Sequence, residues 1–159
     1  MKNAPRIQAG SIVAAPGEQI SIPIFLLEDC EINAISLCIS CIDVKDEYIR
    51  VESGKLMPGE MFANAYPTPG KPARFTVMVA WTSPTSLDYP LKANTVICNI
   101  IMTHKGGNSK VRFENDPLNT FNNTEIACGL PSEAMNDEPT ESFFLPGYIT
   151  DKNSGNSGW

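Results

Sequence analysis

An all-β sandwich with at most one short helix is the fold class this sequence predicts, on three observations. Apolar residues recur with a period of two rather than 3.6, as on pleated strands with one face buried. Thirteen prolines and eleven glycines cut the chain into short pieces and disfavour long helices. The pieces with strand patterning follow one another at regular spacing, as in sandwiches and barrels. The chain has 159 residues, enough for one domain and not comfortably for two. At that size roughly 70% of the unfolded surface can be buried, so a core can form without staples.

The elements follow in order. Gln8 to Val13 is a short first strand, ended by the turn formers Pro16-Gly17. Gln19 to Leu27 (Q-I-S-I-P-I-F-L-L) alternates before turning uniformly apolar, and Ala34 to Asp43 (A-I-S-L-C-I-S-C-I-D) is the third strand. Tyr48 to Glu52 is a fourth, closed by Pro58-Gly59; Phe62 to Tyr66 a fifth, closed by Pro67-Thr68-Pro69-Gly70. Arg74 to Trp81 (R-F-T-V-M-V-A-W) stops at Ser83-Pro84, and Thr95 to Thr103 (T-V-I-C-N-I-I-M-T) stops at Gly106-Gly107. Lys110 to Glu114 and Phe143 to Thr150 complete eight or nine strands. The helix candidate is Pro131 to Asp137, one or two turns inside an insertion before the last strand. We take 1–150 as the sandwich domain and 151–159, which is polar, as a linker-like tail.

Composition excludes several functions. Twelve Lys and Arg against eighteen Asp and Glu give a formal charge of −6, which argues against nucleic-acid binding. No run approaches a membrane span or a signal-peptide core, so no membrane insertion is expected. Five cysteines (Cys30, Cys38, Cys41, Cys98, Cys128) are an odd number, and we read them chiefly as buried thiols acting as small hydrophobes. Cys38-x-x-Cys41 has metal-site spacing, but on a strand residues three apart face opposite sides. The lone His104 has no partner histidine and reads as a surface residue. The segment from Asp151 to Gly155 fails as a calcium loop, because the positions needing Asp/Asn and Gly hold Gly155 and Asn156. We therefore assign no catalytic residue and no metal ligand.

An apolar excess is more informative. In the third strand Ile35, Leu37, Ile39 and Cys41 share one face and Ser36, Cys38, Ser40 and Ile42 the other, so neither is clearly polar. In Arg74 to Trp81, Phe75, Val77 and Val79 oppose Thr76, Met78 and Ala80. One sheet surface must be covered, either by the chain's own loops such as Ser83 to Leu91 or by a partner. Periodicity leaves both open.

The segment from Gly10 to Ile24, with its Pro16-Gly17 turn, resembles the first two strands of cohesin modules, the receptors for dockerin modules in cellulosome-type assemblies. Ile42-Asp43, Tyr48 to Val51, Met57-Pro58-Gly59-Glu60, Tyr66-Pro67, Arg74 to Ala80 and Val96 to Met102 extend the resemblance in order along nearly the whole chain. It implies a nine-stranded jelly-roll sandwich whose third, fifth, sixth and eighth strands present a face to dockerin. Carried over by position, that face holds Ile35, Leu37 and Ile39 on the third strand and Asn64 and Tyr66 on the fifth. Thr76, Met78 and Ala80 come from the sixth, Trp81, Leu87 and Tyr89 from the loop after it, and Asn123 and Glu125 from the eighth. For the third strand, alternation equally allows the three apolar residues to point inward.

The resemblance implies a non-catalytic receptor binding a dockerin-bearing protein, with calcium on the dockerin and no cofactor on this chain. It further implies one module of a larger scaffold protein, secreted or at the cell surface, serving polysaccharide degradation. The acidic charge would favour a partner bearing Lys or Arg. The alternative is a carbohydrate-binding sandwich in which Trp81, Tyr66 and Tyr89 stack on sugar rings, although 8% aromatic content is modest. An enzyme ranks third, since no nucleophile–base pair is visible.

Overall fold

The computed structural model describes residues 3–41, 47–68, 71–85, 87–114, 119–123 and 133–152. Two sheets enclose one apolar core. The first runs in the order β14 (Phe144–Leu145), β1 (Ile7–Ala9), β3 (Gln19–Leu26), β10 (Val96–Thr103) and β6 (Glu47–Ser53). The second is built on β5 (Ala34–Cys41). One edge of β5 pairs with β8 (Lys71–Thr82), which pairs in turn with β7 (Met61–Thr68). The other edge is shared by β12 (Thr120–Asn123) and β11 (Ser109–Phe113). Beyond β11 lie β15 (Gly147–Asp151) and β2 (Ile12–Ala14), and beyond β12 lies β13 (Glu133–Ala134). A separate ribbon pairs β4 (Cys30–Ile32) with β9 (Tyr89–Leu91).

Segments that continue one another across a break count as one strand: β1 with β2, β11 with β12, and β14 with β15. Nine strands then remain among the described residues, with β4, β9 and β13 as short additions. The chain passes between the sheets at β3 to β5, β5 to β6, β6 to β7, β8 to β10 and β10 to β11, which makes the sandwich a jelly roll. β15 extends through Asp151, and the Lys152 N–H donates to the Ala14 carbonyl.

Period-two patterning explains the core. Ile20, Ile22, Ile24 and Leu26 of β3 all point inward, as do Ile7 and Ala9 of β1 and Val77 and Val79 of β8. The first and last strands change sheets at the same corner, Gly10 and Pro146. There the backbones almost touch, because a Cβ on Gly147 would sit 2.1 Å from the Gly10 carbonyl oxygen. Only a residue without a side chain allows that approach. At the other end Pro16 and Gly17 (φ +87°) form a type II turn closed by Glu18 N–H to Ala15 C=O at 3.1 Å.

Three expectations about local structure are corrected. Among the described residues the helix is Thr140–Phe143, opened by Pro139; of the expected 131–137, Pro131 and Ser132 lie outside the described residues, and Glu133–Ala134 pair with Asn122 and Asn123, where cross-strand pairing replaces helical bonding. His104 is fully buried and not at the surface. The Gly17 N–H donates to its carbonyl at 2.6 Å and its own N–H donates to Glu18 C=O at 2.9 Å, so the Pro16-Gly17 turn closes over the end of β10. Trp81 lies inside β8, which runs one residue beyond it.

The thiols behave as packing groups. Cys41 and Cys98 belong to the core, Cys38 is buried on the opposite side of β5 from Cys41, and Cys30 is half-buried; none of the four is in a disulfide. Burial pushes the Cys98 thiol up to about 12. Burial, then Asp29, Glu28 and Glu31, pushes Cys30 up to about 12. Cys128 lies outside the described residues.

Candidate functional site

The outer surface of the second sheet is assembled by strand register. β5 and β8 pair Ser36 with Ala80, Cys38 with Met78 and Ser40 with Thr76. β8 and β7 pair Ala80 with Phe62, Met78 with Asn64 and Thr76 with Tyr66. On the far edge of β5, Thr120 lies opposite Ser36 and Arg112 opposite Ser40. Directly opposed residues share a face. Three rows therefore cross the sheet: Thr120–Ser36–Ala80–Phe62, Cys38–Met78–Asn64, and Arg112–Ser40–Thr76–Tyr66.

The rows differ in chemistry. Phe62 is 68% exposed and Tyr66 50%, with Ala80 exposed and Met78 half-buried between them, so β7 and β8 present an apolar quarter. β5 adds only small side chains, so the middle of the face is low. A chain of hydrogen bonds crosses the third row. Ser40 Oγ–H donates to Glu114 Oε1 at 2.5 Å and Thr76 Oγ1 lies 3.1 Å from Ser40 Oγ. Ser40's one hydrogen is used on Glu114, so the Thr76 hydroxyl donates to Ser40. The Arg112 guanidinium stands 3.8 Å from the same carboxylate.

The gap between β11 and β12 is bridged by side chain as well as backbone. The Glu114 N–H donates to Cys38 C=O at 2.8 Å, and the Cys38 N–H donates to Asn119 Oδ1 at 2.7 Å. Asn119 Nδ2–H donates to the Glu114 carbonyl. Asn119 and Glu114 thus satisfy both backbone groups of Cys38 between β11 and β12. This bridge closes over Cys38, whose pKa is raised by burial and then by Glu114.

Five expected site residues, Asn64, Tyr66, Thr76, Met78 and Ala80, fall together on this face. Leu87 is 64% exposed in the segment after β8. The expected outward facing of Ile35, Leu37 and Ile39 is corrected: they are 2%, 0% and 1% exposed and pack in the core. The reason is register, since Leu37 lies opposite Val79 and Ile39 opposite Val77, both inward residues of β8. Trp81 is corrected likewise. It is 1% exposed, shares the inward side with Val77 and Val79, and its Nε1–H donates to the Pro58 carbonyl at 2.8 Å. Tyr89 is half-buried against the core, on β9 opposite Ile32, and not in the outward rows. Asn123 ends β12, and Glu125 lies outside the described residues.

Phe62, Ser36, Cys38, Ser40, Arg112 and Thr120 complete the face without having been expected there. Phe62 was legible, being two residues before Asn64 on the same strand side. Arg112 was not, since nothing local to Lys110 to Glu114 says which strand it joins. Among the described residues no group of three or more His, Cys, Asp or Glu is arranged to hold a metal ion. No helix among them is long and apolar enough to cross a membrane.

A jelly-roll sandwich with an apolar quarter exposed on one sheet is thus the class of molecule. No family model matches the sequence, and no curated protein matches it. Solved structures do. A type I cohesin–dockerin complex from Clostridium thermocellum matches with a TM-score of 0.66 at 17% identity, over 94% of this chain and 99% of that one. The seventh ScaB type I cohesin from Pseudobacteroides cellulosolvens matches at 0.66 and 16% identity, over 92% of this chain and 90% of that one. A non-cellulosomal cohesin from the archaeon Archaeoglobus fulgidus matches at 0.59 and 14% identity, over 92% and 89%. The fold of this chain is the cohesin fold.

Proposed function

We propose that this chain is a non-catalytic cohesin module whose open sheet face binds a dockerin module. The observation that carries the reading is the apolar quarter made by Phe62, Tyr66, Met78 and Ala80, left exposed or half-exposed on a sheet that is otherwise well packed. The solved cohesin–dockerin complexes with this fold support it.

The mechanism is preorganisation. Backbone ladders fix the rows before binding, so docking orders few groups and most of the contact energy is retained. Phe62, Tyr66 and Met78 are of types enriched at interface centres, and the low middle of the face gives a helical partner room to settle. Asn64 within the apolar quarter and Arg112 with Glu114 at the far end fix its orientation. Calcium belongs to the dockerin, and this chain needs no cofactor. Assembly on a secreted or cell-surface scaffold that degrades polysaccharide is the setting we favour. The archaeal match is described as non-cellulosomal, so the fold also occurs outside such assemblies.

The carbohydrate-binding alternative is disfavoured by burial, because Trp81 and Tyr89 cannot form an open stacking plane with Tyr66. The test is calorimetric titration against a panel of purified dockerins, with and without EDTA, beside retention on cellulose. Calcium-dependent binding of a dockerin supports the proposal. Retention on cellulose with no dockerin bound refutes it.

A further inference from the structure

We propose that β7 pairs edge to edge with β7 of a second copy of this chain, antiparallel and centred on Asn64. β7 pairs with β8 alone and its other edge is open among the described residues. Open edges are normally blunted by charge, brevity or proline. The other long edge strand, β6, follows that rule with Glu47, Arg50 and Glu52, and β2, β13 and β14 have only two or three residues. β7 does not follow it. Its eight residues, Met-Phe-Ala-Asn-Ala-Tyr-Pro-Thr, carry no charge, and its single proline, Pro67, lies next to the end.

The sequence of β7 is also self-complementary about its middle. A two-fold axis at Asn64 sets Phe62 opposite Tyr66 of the second copy, and Tyr66 opposite Phe62. Asn64 then meets Asn64, and Ala63 meets Ala65. Every outward residue faces an outward residue, and the aromatic pairs are of a kind that stabilises cross-strand contacts. An axis at Ala63 or Ala65 would oppose an aromatic with Asn64, and an axis between residues would set outward positions against inward ones. Phe62 and Tyr66 are the most exposed large side chains of the strand, so they are available for this pairing. The contact is isologous and closes on itself, which removes the edge from both copies. It leaves the outward rows of β8 and β5 uncovered and turns both faces to the same side, making a two-site platform.

Sedimentation equilibrium of the whole chain over a micromolar-to-millimolar series tests this, with hydrogen exchange of the Met61–Thr68 amides followed in parallel. The expected mass rises with concentration from 17.3 kDa towards twice that value, while exchange in β7 slows. Asn64→Lys sets like charges against each other on the axis and should raise the dimer dissociation constant by at least about tenfold. Phe62→Ser should act in the same direction. A wild-type mass that stays at 17.3 kDa throughout overturns the proposal. So does a dimer that persists in both variants, each shown folded by circular dichroism, with β7 exchange unslowed. Dockerin binding is read in a separate titration, so either reading can fail alone.

Discussion

Replacing Leu37 by alanine separates a core residue from a docking residue. Leu37 is fully buried between Ile35 and Ile39 and opposite Val79. The substitution removes three carbons, worth about 2.4 kcal/mol at about 0.8 kcal/mol each. The packed surroundings relax only in part, and the remaining cavity raises the cost to about 3–5 kcal/mol. For a chain of this size each kcal/mol lowers the melting temperature by about 2–4 °C, so the expected loss is roughly 6–20 °C. Urea unfolding followed by circular dichroism measures it, with the midpoint moving and the slope unchanged. Phe62→Ala, on the exposed row, is the control and, at concentrations where the chain is monomeric, should shift stability by no more than about 0.5 kcal/mol. A Leu37→Ala midpoint equal to that of the wild type, accompanied by weakened partner binding, would place Leu37 on the outer face and refute the register.

Trp81→Phe removes the donor to the Pro58 carbonyl and should cost about 1–3 kcal/mol, read as a lower melting temperature. Gly147→Ala forces a methyl group against the Gly10 and Ala9 carbonyls; it should destabilise by about 1–3 kcal/mol or more, measured by urea unfolding. In a Cys128→Ser background, thiol labelling at pH 8 should be slow until the protein unfolds, because burial pushes Cys98 and Cys30 up to about 12 and Cys38 and Cys41 are buried. The sign for stability follows: the unfolded thiols lose protons near 9.0 and the folded ones near 12, so stability falls as pH rises between those values. Cys98→Ala should flatten that fall.

What could be read from the sequence depended on contrast between neighbouring residues. In β8 Phe75, Val77 and Val79 alternate with Thr76, Met78 and Ala80; periodicity left the outward face open, the resemblance to cohesins assigned it to Thr76, Met78 and Ala80, and the structure turns these three outward. Extending the alternation by one step places Trp81 inside. A large aromatic beside Ser83-Pro84 reads as a loop residue only if the strand is stopped early. β5 offers less contrast, since Ser36, Cys38 and Ser40 are small enough for either side. Its orientation is settled by pairing with β8, more than thirty residues away, which no local window contains. His104 was misplaced for a similar reason, because the turn that covers it lies near residue 17. The helix was sought at Pro131, where Glu133 and Ala134 have helix-forming character, yet strand partners in β12 capture them. Asn119 bridges Cys38 and Glu114 by a contact that composition cannot foretell.

Mapping the footprint of a bound dockerin on this chain by amide chemical shifts tests the account most directly. The expected changes concentrate on Phe62, Asn64, Tyr66, Thr76, Met78 and Ala80, and Met78→Asp lowers affinity at least about tenfold, or 1.4 kcal/mol. A footprint on the outer surface of β3, β10 and β6, with Met78→Asp binding as the wild type does, would contradict it.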